Sequence, residues 1–347
     1  MYMMKKTSDP SIIQKITNIQ KSISCLCEIR DTLAHQSLHS SDLWSELLAI
    51  LSYVRNLPPL DLLNIRFHVG TGVILGTEWG GDFWLSRKFK EKILKADEIP
   101  LLKAFDEIHK TAPQSLWCSE PVENPSDANL FFQYKGLFLS HDLLNRQHSV
   151  NRIQDFCLKN HDKETIVCEV GAGYGGLMHQ LNRILKRSKF IIFDQPEILF
   201  FSAIYLSINN PKKVVHIYNP LEKISIDQMI SESHFVLLPN YLSSSTVIKD
   251  HKIDLLINEN SFPEMTHQQV LEYLQFAERH SIREIYSFNS EKQFLNSQNK
   301  YNLTDVLMKF YTPINDLQAE VNQYGSNFNE DSKIKFLGNL KKVNLLF

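Results

Sequence analysis

Apolar positions along this chain fall into two textures. In the first, Ile12, Ile16, Ile19, Ile23, Leu26, Ile29 and Leu33 recur every three or four residues after Asp9-Pro10. An N-cap residue followed by proline at the first helical position starts a helix well. The spacing predicts an amphipathic helix with a near-heptad stripe. Such a stripe suits packing on its own domain or pairing with a second copy, a homodimer through the N-terminal helices. A further helix is expected from Ser41 to the stop at Pro58-Pro59, with two or three more to about Thr111. The stretch from Ala112 to Asp127, rich in Pro, Ser and Asn, reads as a long loop.

From Ile166 the texture changes. Short apolar runs predict strands at Ile166–Val170, Phe190–Phe193, Val214–Tyr218, Asp254–Ile257 and Glu284–Phe288. Helical patterns lie between and after them, near Gly176–Lys186, Glu197–Ser207, Thr266–His280 and Leu303–Phe310. Continuous apolar strands alternating with helices indicate a buried parallel sheet. The final runs IKFLGNL and KKVNLLF read as a terminal antiparallel hairpin. The expected organisation is a mainly helical domain over 1–150 and an α/β domain over 151–347.

Composition narrows the classes. Of 347 residues 43% are hydrophobic and 22% charged, with a formal net charge of −2. No broad basic footprint for nucleic acid follows from that balance. The five cysteines are odd in number and scattered, with no C-x-x-C pair. That argues for a reducing, cytoplasmic setting and against a zinc ribbon or disulfide framework. No apolar stretch follows the N-terminal MYMMKKTSDP, so no signal peptide is expected. The greasiest region, Phe190 to Ile208, is interrupted by Asp194, Gln195, Pro196 and Glu197, too often to span a bilayer.

Glycines cluster twice. Gly70, Gly72, Gly76, Gly80 and Gly81 precede no helix pattern that would make them a phosphate cradle, and suit tight turns or a lid. The second cluster, VCEVGAGYGGLMHQL, leaves the first strand of the sheet and opens a helix, where open α/β sheets bind ligands. Gly171, Gly173 and Gly176 spell the G-x-G-x-x-G of a dinucleotide site. Gly171, Gly173 and Gly175 after Glu169 spell the acidic-x-G-x-G-x-G of a methyl-donor site. An acid beside a pyrophosphate is repelled, whereas a ligand with an ammonium and a sulfonium needs one. Glu169 therefore favours S-adenosylmethionine over NAD. Asp194, ending the second strand, suits both ribose hydroxyls of either ligand.

The strings VCEVGAGYGGL, IIFDQPEIL…YLS and DLLINENSFPEM, in that order, resemble the bacterial sugar O-methyltransferases. The resemblance covers roughly Glu120 to Asn289, with weaker traces in EPVENPSDANLFFQYKGLFLSHDLL. It implies a class I S-adenosylmethionine-dependent domain, Rossmann-like with a C-terminal antiparallel hairpin, after a helical N-terminal portion. Glu169, Gly171, Gly173 and Gly175 would hold the methionine part of the donor and Asp194 its ribose. Tyr174 would touch the donor or pack its ring. Asn219 and Asn240 are the candidates for adenine.

Reaction chemistry is expected in NENSFPEMTHQQV, after the strand DLLI. Asn258, Glu259, Asn260, Ser261, Glu264 and His267 gather at one strand exit and helix start. Related small-molecule O-methyltransferases carry a catalytic histidine in the corresponding turn, where this chain has Pro263-Glu264. Glu264 is thus the first expected base, with Glu259 and His267 behind it. Asn258 cannot take a proton and would touch donor or substrate. Glu259, Glu264 and Asp254 offer oxygen ligands in principle, but no spacing identifies a metal site. The acceptor would be a sugar hydroxyl, nucleotide-linked or in a surface polysaccharide. A dinucleotide-dependent oxidoreductase would need a set such as Tyr-x-x-x-Lys, and the string Tyr301 to Asp305 lacks the lysine. A non-catalytic binding protein would keep Glu169 and Asp194 and dispense with Glu264.

Overall fold

A computed structural model describes residues 10–33, 48, 51–56, 58, 98–121, 132–290, 301–314, 318–320 and 333–340. The glycine cluster over 70–81, most of the helix expected over 41–58, and residues 341–347 lie outside them.

The expected N-terminal helix is α1 (Pro10–Thr32), with Ile16, Ile19, Ile23 and Leu26 buried along its stripe. Helix α2 (Glu98–His109) follows, then a hairpin of β1 (Phe132–Tyr134) and β2 (Leu137–Leu139). Lys135 and Gly136 both have positive φ in its two-residue turn, the geometry that matches the twist of paired strands. Helices α3 (His141–Arg152) and α4 (Gln154–Asn160) lead into the sheet, so residue 150 falls inside α3. Ser140 caps α3 by accepting from the Leu143 N–H.

The sheet then builds in alternation. Strand β3 (Ile166–Val170) precedes α5 (Gly176–Ile184), and β4 (Lys189–Asp194) precedes α6 (Pro196–Asn209). Next come β5 (Val215–Ile217), α7 (Ile226–Glu232), β6 (Phe235–Pro239), β7 (Leu255–Glu259), α8 (His267–Arg279) and β8 (Glu284–Ser290). Helix α9 (Leu303–Phe310), β9 (Tyr311–Pro313), β10 (Gln318–Glu320) and β11 (Lys333–Leu340) close the described chain. The strand order is β10-β11-β8-β7-β3-β4-β6-β5, with β9 also paired to β11. From β5 to β8 the six strands are parallel.

One difference from expectation stands out. Strand β6, in SHFVLLPN, was not foreseen, and it inserts between β4 and β5. A four-residue apolar run ended by proline has no period of its own to separate it from a loop. At the other end, KKVNLLF, the expected partner of IKFLGNL, lies outside the described residues. Strand β11 lies antiparallel along β8, with β9 and β10 antiparallel on it. The free edge of β8 gains its ladder from β11.

Alternation along the strands sorts the core into two layers. Val167, Ile192, Leu237, Ile257, Tyr286 and Phe288 share one cluster with residues of α1, α2, α3, α5 and α6. Cys168, Val170, Phe193, Leu256 and Ile285 join α7, α8 and α9 on the other face. Helix α6 is buried along nearly its whole length, from Pro196 to Ser207. A helix apolar on every side needs cover on every side, and α1 supplies it. The wholly buried Glu197 of α6 takes Arg30 Nη1 of α1 at 2.6 Å and Arg55 Nη2 at 3.2 Å. Among the described residues no helix is long and apolar enough to cross a membrane.

Candidate active site

The glycine loop is shaped by two close approaches and one opening. Gly171, Gly173 and Gly175 all have positive φ, at 74°, 58° and 85°. A Cβ on Gly171 would stand 2.2 Å from Ser261 Oγ, so this glycine lets the loop press on the turn after β7. One on Gly176 would stand 2.4 Å from the Tyr174 hydroxyl oxygen. Both glycine spellings are therefore needed mechanically, and the glycines alone choose no ligand. Beside Gly173 a Cβ would meet nothing within 4 Å, which makes it the open side of the loop. Its N–H donates to Asp194 Oδ2 at 2.9 Å, and the Gln195 N–H donates to Oδ1 at 2.7 Å. Each Asp194 oxygen keeps a lone pair for a further donor.

Three acids meet at the carboxyl ends of the strands. Register places Glu169 level with Ile192 of β4 and Ile257 of β7. Asp194 and Glu259 lie two residues beyond those partners, so all three point to the face covered by α3, α5 and α6. Glu169 is buried and its Oε2 has no hydrogen-bond partner. Burial, together with the nearby Glu259 and Asp194 and against the pull of Arg146, pushes its carboxyl up to about 8. Asp194 is raised to about 7 by desolvation, against the two backbone N–H groups that favour its charged form. Glu259, also buried, leaves Oε1 unpartnered and turns Oε2 toward Arg146 Nη1 at 3.6 Å. Tyr286 of β8, wholly buried, lies beside Glu259 and Arg152.

Arg146 is the residue that sequence reading missed. It projects from α3, and its guanidinium lies 5.7 Å from the centre of the Tyr174 ring. Nothing in HDLLNRQHSV marks it, because its partners belong to the glycine loop and to β7. Tyr174 itself is buried, edge-on to Tyr205 at 4.8 Å.

The remaining expected residues divide by how their polar atoms are used. Asn258 stitches strand ends together. Its Nδ2 donates to Val170 O at 2.9 Å and to Ser261 Oγ, while Oδ1 accepts from Phe262 N and Asn289 Nδ2. Asn219 is spent on its own turn, accepting from Leu221 N at 3.0 Å. Asn240 follows Pro239, the residue paired with Asp194, and its buried Oδ1 has no partner. Of the two amides, Asn240 is the one whose oxygen is left without a donor. Glu264 ends a short turn, Phe262–Glu264, that Tyr301 clamps by donating to Phe262 O at 2.8 Å. His267 begins α8, its ring 5.2 Å from that of Tyr301 and its buried Nε2 unpartnered. Asp254 sits at the opposite end of the sheet, where Oδ2 accepts from the Ile166 N–H that starts β3. Among the described residues no group of three or more His, Cys, Asp or Glu is arranged around a metal site.

Unpartnered buried acceptors thus line the strand exits: Glu169 Oε2, Glu259 Oε1, Asn240 Oδ1 and Gln195 Oε1. A buried acceptor left without a donor is costly, so this lining suits a ligand rich in donors and positive charge. The ammonium and sulfonium of S-adenosylmethionine fit it, and a diphosphate facing Glu169 and Glu259 does not.

No protein-family model matches the chain, and no curated protein matches it. Solved structures are distantly similar. An rRNA methylase from Streptococcus thermophilus shares 16% identity, over 55% of this chain and 96% of that one, with a TM-score of 0.35. A SAM-dependent methyltransferase from Aquifex aeolicus shares 11%, over 55% and 89%, at 0.34. The N-methyltransferase NodS from Bradyrhizobium japonicum, solved with S-adenosyl-l-homocysteine, shares 8%, over 70% and 99%, at 0.39. Parallel strands wind outward both ways from β3, and antiparallel β11 lies between β8 and β9. That is a doubly wound, Rossmann-like plan with antiparallel strands added at one edge.

Proposed function

We propose that the chain is a cytoplasmic S-adenosylmethionine-dependent O-methyltransferase whose acceptor is a sugar hydroxyl, nucleotide-linked or in a polysaccharide under construction. The observation that carries the donor reading is the unpartnered oxygen of buried Glu169 at the exit of β3. An ammonium there restores the bond and the charge balance that the carboxyl lacks. Asp194 accepts from the ribose hydroxyls, and Asn240 Oδ1 from the adenine amine. Once bound, the donor supplies a methyl group already made electrophilic by its sulfonium.

The protein's task is then to hold a hydroxyl in line and take its proton. Alignment alone is worth about 7–11 kcal/mol when the geometry is good. A positioned base adds roughly 10²–10⁴-fold. Glu264, at the turn after β7, accepts the hydroxyl proton on a carboxylate oxygen. Glu259 holds a second hydroxyl of the acceptor through its unpartnered Oε1, and His267 borders the same turn. Carboxylates and amides at one strand exit match the donor-rich rim of a sugar, which supports that acceptor class.

Calorimetry with S-adenosylhomocysteine and NAD tests the donor. Micromolar binding of the first is expected, and binding of NAD alone overturns the reading. Transfer of a labelled methyl to a panel of sugar nucleotides, with Glu264→Gln and Glu259→Gln compared, tests the base. Loss of turnover with unchanged donor affinity identifies it.

A further inference from the structure

Arg146 carries an inference that deepens this reading and rests on it for the identity of the ligand. Its guanidinium serves two acids of the site. It lies 3.6 Å from Glu259 Oε2 and is among the charges that pull down on the Glu169 carboxyl. It is also seated over the Tyr174 ring, inside the glycine loop. Helix α3 supplies it from outside the sheet, so the donor loop, the acid of β3 and the acid of β7 share one counter-ion.

We propose that Arg146 is a positioning residue: seated on Tyr174 and drawn to Glu259, it holds the Glu259 side chain beside the glycine loop and leaves Glu169 to be partnered by the cation of an incoming donor. The two acids then divide their roles before the acceptor arrives. With no guanidinium present, nothing of that charge would offset burial and the nearby Glu259 at the Glu169 carboxyl, which would be pushed further up. Tyr174 acts here as the seat of the guanidinium.

The charged and titratable groups facing this pair are Asp194 from β4, Arg146 from α3, Tyr174 from the loop, and Tyr286 of β8 with Arg152 behind it. The experiment begins with the ligand-free protein. Glutamate carboxyl ¹³C signals are titrated in wild type, Arg146→Met and Arg146→Lys, with Glu169→Gln and Glu259→Gln for assignment. Arg146→Met is expected to raise the midpoint of the Glu169 carboxyl by about one unit or more, and Arg146→Lys to hold it near wild type. An unchanged midpoint in Arg146→Met overturns the proposal, as does an equal rise in Arg146→Lys. Should Arg146→Met not fold, the lysine variant decides through the same comparison.

Calorimetry with S-adenosylhomocysteine then separates this proposal from the donor reading. Affinity at neutral pH is expected to fall about tenfold in Arg146→Met and to recover at higher pH. A wild type that titrates as expected yet binds no S-adenosylhomocysteine removes the donor reading and leaves Arg146 its role.

Discussion

Glu169 on β3 and Glu259 on β7 face the same side of the sheet, Glu169 level with Ile257 and Glu259 two residues nearer the strand ends. Each keeps one buried oxygen without a partner. Two acids so placed repel each other, and Arg146, 3.6 Å from Glu259, offsets part of that repulsion. This makes the pair the most sensitive point of the site.

Glu169→Gln removes the charge and keeps the shape. Loss of a charge-assisted bond costs about 1.5–3 kcal/mol, roughly 10- to 100-fold in affinity. Calorimetry with S-adenosylhomocysteine at neutral pH checks this, and an affinity equal to wild type would place the ammonium elsewhere.

Stability should depend on pH in a stated direction. Glu169 rises from 4.5 to about 8 and Asp194 from 3.8 to about 7 on folding. Between those limits the folded state binds more protons than the unfolded one. The stability linked to them is full below the lower values and is lost as pH climbs through the upper ones. Melting temperature of the ligand-free protein should therefore fall between about pH 5 and 8. Glu169→Gln with Asp194→Asn should flatten that fall, and thermal melts across this range measure it.

Gly171→Ala and Gly173→Ala should differ although both positions have positive φ. Each carries the backbone strain of about 1–2 kcal/mol for a side chain in the left-handed region. Only Gly171→Ala also drives a methyl into Ser261 Oγ. Its melting temperature should fall further, while Gly173→Ala should spend its effect on ligand affinity.

Asn258→Ala should act on the fold. The side chain bonds to Val170 O, Ser261 Oγ, Phe262 N and Asn289 Nδ2, joining the ends of β3, β7 and β8. Leaving a buried group unpaired costs about 1–3 kcal/mol. Urea unfolding should show that loss, and full stability with weakened donor binding would return Asn258 to the ligand.

Glu197→Ala should be costlier. It takes the buried acid from Arg30, which lies on α1, 167 residues away in sequence, and leaves it the half-exposed Asp31. Breaking a buried pair from one side costs about 3–5 kcal/mol. Urea unfolding measures that cost, and a loss below about 1 kcal/mol would put this pair with exposed ones.

Much of the molecule was legible in the amino-acid order because the signals are local. Periods of two and of three to four residues separate strand from helix within one element. Glu169, the glycines and Asp194 stand at strand ends whatever the strands pair with, so their places in the fold could be read directly. Partner choice is another matter. The insertion of β6 between β4 and β5, the placing of β11 along β8, and the need of α6 for a cover from α1 are matters of which surfaces meet. So is the meeting of Arg146 with Glu259. A side chain's own neighbours in sequence set its direction, but only packing sets what stands opposite. The acids were therefore written in the chain, and their shared arginine was supplied by the tertiary structure.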